Sequence, residues 1–438
     1  MKRILSVITA AAALLSLAAC VKAPEETGNT RPKETKEAVT YEPYKGVSGD
    51  YSGAKFASIA DLTASSPDDS DGYYKNIKAY RSCGDGLTAF YDKLNQKVLE
   101  GGDAGAVSPV NVYMALSLLA ECAEGSSRAE ILDVLGVKSI EELREQSKLV
   151  WFYNNRDDEQ GKSMLANSVW LSSGLPVKEA CAEHLKKDHY ASAFAGDFGD
   201  EKYINALKQW LSDMTNGLLD NSINGLVIPP DTAIALASTL YYKTKWYTAY
   251  EETEEGKFDG EPCVFNKKVN DNRIYKGKGF TAYAERLSDN NRMWFFLPDK
   301  NKTVDDVLKT GVISYINNDP FGIEYEVTVR MPDFDISFNG SIKDALRDIG
   351  IRECMTDKAD FSALTDDSLF LSDVIHACRV KADKDGVEGA AFTVMALTGS
   401  APFELMKLKY DFTLDRPFVF VIENGGTPLF VGCVNDIY

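Results

Sequence analysis

The sequence predicts an α+β protein: one large mixed domain behind an N-terminal leader and a polar tether. Three observations carry this. Several runs are β-branched and aromatic enough to be buried strands, among them Leu369 to Val380, Met293 to Pro298 and Pro417 to Ile422. Helical stretches punctuated by glycine and proline lie between them. The 438 residues are 44% hydrophobic and 11% aromatic, so a large single core can form without disulfides.

Residues 1–19 form the leader. Lys2 and Arg3 supply its positive start, and Ile4 to Leu15 is an apolar stretch too short to span a bilayer. Leu17-Ala18-Ala19-Cys20 resembles a bacterial lipobox, which implies cleavage before Cys20 and lipid on its sulfur. An ordinary secretory leader with a chance cysteine is the alternative. Each buried methylene of an acyl chain contributes roughly 0.8 kcal/mol, so several chains on Cys20 would anchor the protein to a membrane. Residues 20–75 are rich in Glu, Lys, Thr, Ser, Pro and Gly without apolar periodicity, the composition of a tether. Its opening Val21 to Glu26 resembles the acidic export signal of lipoproteins from the Bacteroides group. The expected location is the bacterial outer membrane, on its periplasmic or cell-surface face. Residues 76–438 form the single folded domain, with its body starting near Ser82.

Leu87, Phe90, Tyr91, Leu94 and Val98 have helical spacing, ended by Gly101-Gly102. Ser108-Pro109 opens a second helix through Met114 and Leu119. Gly125 is placed as its C-cap, with Ser126 or Ser127 as the next N-cap. Met164 to Ser172 reads as a strand, and Val177–His189 as a helix. Thr232 to Tyr242 is apolar throughout, the mark of a central strand buried on both faces. Ile323, Tyr325, Val327 and Val329 alternate strictly, and Ser341 to Ile349 reads as a capped helix.

The stretch from Lys381 to Phe420 is unusual. It lies between two buried strands, where an exposed loop belongs, yet its composition is that of a strand. Gly386 offers a pivot without a Cβ penalty. Beyond it Val387, Gly389, Ala391, Thr393, Met395 and Leu397 fall on one side of an extended chain, and none is charged. Glu388 falls on the other side.

Here the sequence resembles the serpin family. Lys384-Asp385-Gly386-Val387-Glu388-Gly389-Ala390-Ala391-Phe392-Thr393 stands at the family's hinge, E-E-G-T-E-A-A-A-A-T. Arg416 to Ile422 matches x-P-F-x-F-x-I, and Pro428, Leu429, Phe430, Gly432, Val434 and Asn435 match its closing phrase. Further motifs follow in the family's order: Asn167-Ser168-Val169-Trp170, Trp210 to Gly217, Tyr241 to Trp246, Met331-Pro332-Asp333-Phe334 and Lys358-Ala359-Asp360-Phe361-Ser362. The resemblance spans about residue 82 to 438. It implies a large mixed central sheet, further sheets, about eight or nine helices and an exposed reactive loop.

It also implies a mechanism. A serine or cysteine peptidase acylates on the loop, the cut end inserts into the central sheet, and the acyl-enzyme is distorted before water releases it. His376, Ser108 and Asn111 resemble the residues at the shutter, where the sheet parts, and Trp246 the tryptophan at its top. A strand advances about 3.3 Å per residue, and the family's cut falls about fourteen residues past the hinge glycine, which gives Ser400–Ala401. Leu397 or Thr398 are earlier alternatives; extra length before the bond would move it toward Phe403–Met406. No Lys or Arg occurs between Gly386 and Glu404, which favours elastase-, subtilisin- or chymotrypsin-like targets over trypsin-like ones. Val387 replaces the usual threonine, and Lys384 a glutamate. The rival reading is a non-inhibitory serpin acting as a surface binding protein.

Other chemistry is excluded or weak. The net charge is −18, and −20 without Lys2 and Arg3, which leaves no cation excess for a nucleic-acid backbone. Seven scattered cysteines besides Cys20, an odd number without a C-x-x-C pair, argue against a disulfide framework or a zinc site. Of three histidines, His184 and His189 are five apart and do not converge on a helix face. No H-E-x-x-H, G-x-S-x-G or Walker loop occurs, and Lys276-Gly277-Lys278-Gly279 lacks the spacing of a phosphate cradle. The chain is read as a monomer, not an enzyme, with no cofactor or metal. Its partner is a peptidase captured covalently.

Overall fold

The computed structural model describes residues 12–22, 55–56, 86–101, 105–387 and 408–437. The chain begins with β1 (Ala12–Lys22) and β2 (Lys55–Phe56), then α1 (86–99), β3 (Ala106–Val107), α2 (Pro109–Cys122), α3 (Gly125–Leu135) and α4 (Ile140–Tyr153). Next come β4 (Arg156–Asp158), β5 (Gly161–Ser172), α5 (Glu179–Asp188), β6 (Ala191–Gly196), α6 (Glu201–Met214), α7 (Asp220–Asn224) and β7 (Thr232–Lys245). A run of strands follows: β8 (Glu252–Phe258), β9 (Glu261–Gly277), β10 (Phe280–Arg286) and β11 (Arg292–Pro298). Then come α8 (Val304–Leu308), α9 (Val312–Asn317), β12 (Gly322–Pro332), β13 (Phe334–Ser341) and α10 (Lys343–Ile349). The chain closes through β14 (Leu369–Asp383), β15 (Gly386–Val387), β16 (Lys409–Thr413), β17 (Phe418–Asn424) and β18 (Thr427–Val434).

Two nine-stranded sheets result. In the first, β13 flanks β14, and β7, β5, β6 and β2 follow beyond it, with β4 on β5; β15 and β1 lie between β14 and β7. In the second the order is β16, β12, β9, β10, β11, β17, β18, β3, with β8 on β9. α2 is buried along its whole length and packs against β7 and β18, one strand from each sheet. A helix with no polar face belongs between two layers. Ser108 caps its start, accepting a hydrogen bond from the Asn111 N–H.

β7 shows why an apolar run without alternation is a central strand. Ile234, Leu236, Leu240 and Tyr242 join the main core, while Ala235, Ala237 and Tyr241 pack against α6 through Trp210, Leu207 and Tyr203. The α+β class and the large central sheet are as the sequence predicts. There are ten α-helices among the described residues, against the eight or nine expected; α7 and α8 are single turns.

Four local expectations are corrected. α2 ends at Ala123, and Gly125, with φ +55°, is the first residue of α3 instead of a C-cap. The N-cap of α3 is Glu124, without a side-chain bond; Ser127 Oγ instead accepts the Asp360 N–H at 2.9 Å, tying the helix to the Lys358–Ser362 segment. Ser341 ends β13, and the helix after it starts at Lys343. Within the stretch read as tether, Lys55 and Phe56 pair with Ala195 and Phe194 of β6, where an edge strand offers unpaired backbone groups. β8, β9 and β10 were not legible, because β8 and β9 carry many charged and exposed positions and lack a clean apolar period.

Candidate functional site: a strand slot between β14 and β7

β14 and β7 both bury one face in the main core, and a strand position lies between them. At its upper end the chain leaves β14 at Asp383, turns through Lys384 and Asp385, and re-enters as Gly386–Val387. Gly386 pairs with Asp383 on one side and Lys245 on the other; Val387 pairs with Ala382 and Thr244. Gly386 has φ +149°, and a Cβ there would stand 2.4 Å from the Thr244 carbonyl oxygen. Only glycine fits so close an approach. Val387 is fully buried, as its inward place in the alternation predicts.

Trp246, at the end of β7, closes this upper region. Its indole N–H donates to the Asp383 carbonyl at 2.7 Å, holding the last residue of β14. Beneath it the Lys268 ammonium is buried, 2.9 Å from Glu285 Oε2 and 4.0 Å from the Tyr250 ring centroid. It also donates to the Thr248 carbonyl at 2.7 Å. Burial holds the Lys268 pKa below the ordinary lysine value, against the opposing pull of Glu285.

Halfway down lies His376. The Ser108 N–H donates to His376 Nε2 at 3.3 Å, and Ser108 Oγ accepts the Asn111 N–H at 3.3 Å. Burial lowers the His376 pKa to about 3, so the ring is neutral at physiological pH, as an accepting Nε2 requires. Ser108, Asn111 and His376 therefore lie together. Asn111 joins through its backbone; its buried side-chain amide has no hydrogen-bond partner among the described residues.

β1 occupies the slot below the hinge. It runs antiparallel to both neighbours, with Ser16 opposite His376 on β14 and Ser238 on β7. Cys20, the expected lipid site, lies opposite Leu371 and Ile234. The sequence reading missed this placement: an apolar leader and an apolar strand have the same composition, and only pairing separates them. It also missed the Lys268–Glu285 pair, whose members are single charges in a polar hairpin. The expected hinge residues Glu388, Gly389, Ala390, Ala391, Phe392 and Thr393, and the expected bond Ser400–Ala401, lie outside the described residues.

Other titratable groups lie away from the slot. His189 sits between Ser147 Oγ at 3.0 Å and Glu121 Oε2 at 3.2 Å. Burial would raise the Glu121 pKa, but Arg144 and His189 bring it to about 2. His184 bonds Asp188 on its own helix. Among the described residues no group of three His, Cys, Asp or Glu could hold a metal, and six cysteines are free thiols. Ser147, His189 and Glu121 do line up a hydroxyl, an imidazole and a carboxylate, but all three are buried, with no surface open to a substrate. What the slot holds is an extended chain as one more strand, with main-chain partners on two edges, which β1 takes in this structure.

A family model described as Serpin (serine protease inhibitor) matches residues 87–437. The chain is 26% identical to serine protease inhibitor 42Dd of Drosophila melanogaster over 75% of its length and 90% of that protein. In fold it is similar to the thermophilic serpin tengpin in its native state, with TM-score 0.69 and 22% identity, over 80% of this chain and 93% of that one. It is also similar to human thyroxine-binding globulin, with TM-score 0.67 and 20% identity, over 83% and 99%.

Proposed function

The chain belongs to the serpin family, and from that premise we propose that it is a suicide-substrate inhibitor of serine, or cysteine, endopeptidases. The peptidase nucleophile attacks the carbonyl carbon of Ser400 and the peptide bond to Ala401 breaks. The new amine leaves on the C-terminal piece, and residue 400 stays esterified to the enzyme. The freed loop then enters the slot between β14 and β7, carrying the enzyme with it, and distortion of the acyl-enzyme site prevents hydrolysis. The protein supplies no catalytic group; the chemistry is the peptidase's.

One observation carries this reading. Gly386 and Val387 are already paired with both β14 and β7, so the loop's first residues stand in register at the mouth of the position its remainder would fill. The uncharged face from Val387 to Leu397 supports it, since burial there involves no ionic desolvation. The absence of Lys and Arg between Gly386 and Glu404 supports elastase-, subtilisin- or chymotrypsin-like targets. We further propose that the mature chain is a monomer held to the bacterial outer membrane by lipid on Cys20.

The test is incubation of the mature chain with elastase and subtilisin, followed by a denaturing gel and mass spectrometry of the released C-terminal peptide. A covalent band heavier than either component, with a new N-terminus at Ala401, is expected. Clipped fragments alone would favour a non-inhibitory binding protein.

A further inference from the structure

The slot proposed to receive the loop is filled by the chain's own N-terminal segment, and the match is closer than shared hydrophobicity. Continuing the hinge register from Val387, which faces Ala382 and Thr244, places Thr393 opposite His376 and Ser238. These are the residues that Ser16 faces. Both neighbouring strands thus give one alignment: Ala12 falls on Gly389, Ser16 on Thr393 and Ala19 on Ala396. Residues 12–19 read AALLSLAA and residues 389–396 read GAAFTVMA. Neither contains a charge, and each has one polar residue. In both it is a hydroxyl residue, and Ser16 pairs in register with the buried His376 and Ser238. β1 runs in the same direction as Gly386–Val387, antiparallel to both neighbours. Ala18, on the position that Met395 would take, is 2% exposed and lies in the main core opposite Leu236.

We propose that Ala12–Lys22 is a register-matched plug for the insertion slot. While it is attached, the loop has nowhere to go beyond Val387, and the unprocessed chain is a peptidase substrate and not an inhibitor. Cleavage before Cys20 would withdraw Ala12–Ala19 and leave only Cys20, Val21 and Lys22 of the strand, opening the slot after export. The inference rests on the inhibitor reading for its consequence, but the occupancy of the slot is separately testable.

The test compares the full chain, produced without export, with a chain starting at Ala23 and with full-length Ala18→Asp, which puts a carboxylate at a buried position. Hydrogen exchange is read on the amides of β7 and β14, and complex formation with elastase on a denaturing gel. The expected result is strong protection in the full chain and loss of it in both variants. A covalent band should form only with the variants. Adding a peptide of sequence 12–22 (with Cys20→Ser) to the Ala23 chain should restore protection and abolish the band. Equal protection of the strand amides in all three proteins, or a covalent complex formed equally well by full and shortened chains, overturns the plug. If no chain forms a complex while protection still follows the segment, the inhibitor reading fails and the plug stands.

Discussion

Thr393→Arg isolates the step on which the function depends. By the hinge register, an inserted residue 393 would lie between Ser238 and His376, both fully buried. His376 is neutral there, since burial holds its pKa at about 3, and its counterpart on the other strand is the uncharged Ser238. An uncompensated buried charge costs about 3–5 kcal/mol. If half of that is felt in the barrier to insertion, about 2 kcal/mol, insertion slows about 30-fold. Acylation at Ser400 should be unaffected, because residue 393 is remote from the bond, so the acyl-enzyme hydrolyses before the loop has moved. In the chain starting at Ala23, the covalent band with elastase should give way to clipped protein at an unchanged cleavage rate. Glu388→Gln, on the outward side, should leave the band intact. A Thr393→Arg protein that traps elastase as well as its parent would refute insertion of this segment at this register.

Other outcomes follow from the same site. The unfolded chain takes up a proton at His376 near pH 6.5 and the folded chain only near pH 3, so stability is full above about 6.5 and falls as pH drops through that window. Thermal melts of His376→Gln should show a flatter profile between about pH 4 and 6.5, with a difference from the parent of order 4 kcal/mol at most. Trp246→Phe removes the donor to the Asp383 carbonyl and should destabilise the intact protein by about 1–3 kcal/mol in urea titration. Trypsin should form no stable complex through a cut between Gly386 and Glu404, whereas elastase or subtilisin should; a trypsin complex cut inside this stretch would contradict the specificity reading.

Much of the fold was legible because its central strands are buried on both faces. β7, β11 and β17 read as apolar runs whatever packs beside them, and glycine and proline mark the helix ends. Of the hinge, only Gly386 and Val387 can be compared with the structure: the glycine pivot and the inward Val387 were legible from the close approach and the period-2 face they imply. Positions set by pairing were not legible. Nothing in Lys55-Phe56 announces an edge partner, and nothing local in Ser127 announces Asp360. The same limit hid β1, because the residues that make it a good leader also make it a good strand. Only the pairing with β7 and β14 shows it as a strand.

The most direct measurement is the melting temperature of the chain starting at Ala23, before and after a single cut in the reactive loop. Insertion adds a full strand between β14 and β7, so the clipped protein should melt well above the intact one. A clipped protein that melts at the same temperature, or lower, would mean that the slot does not take the loop.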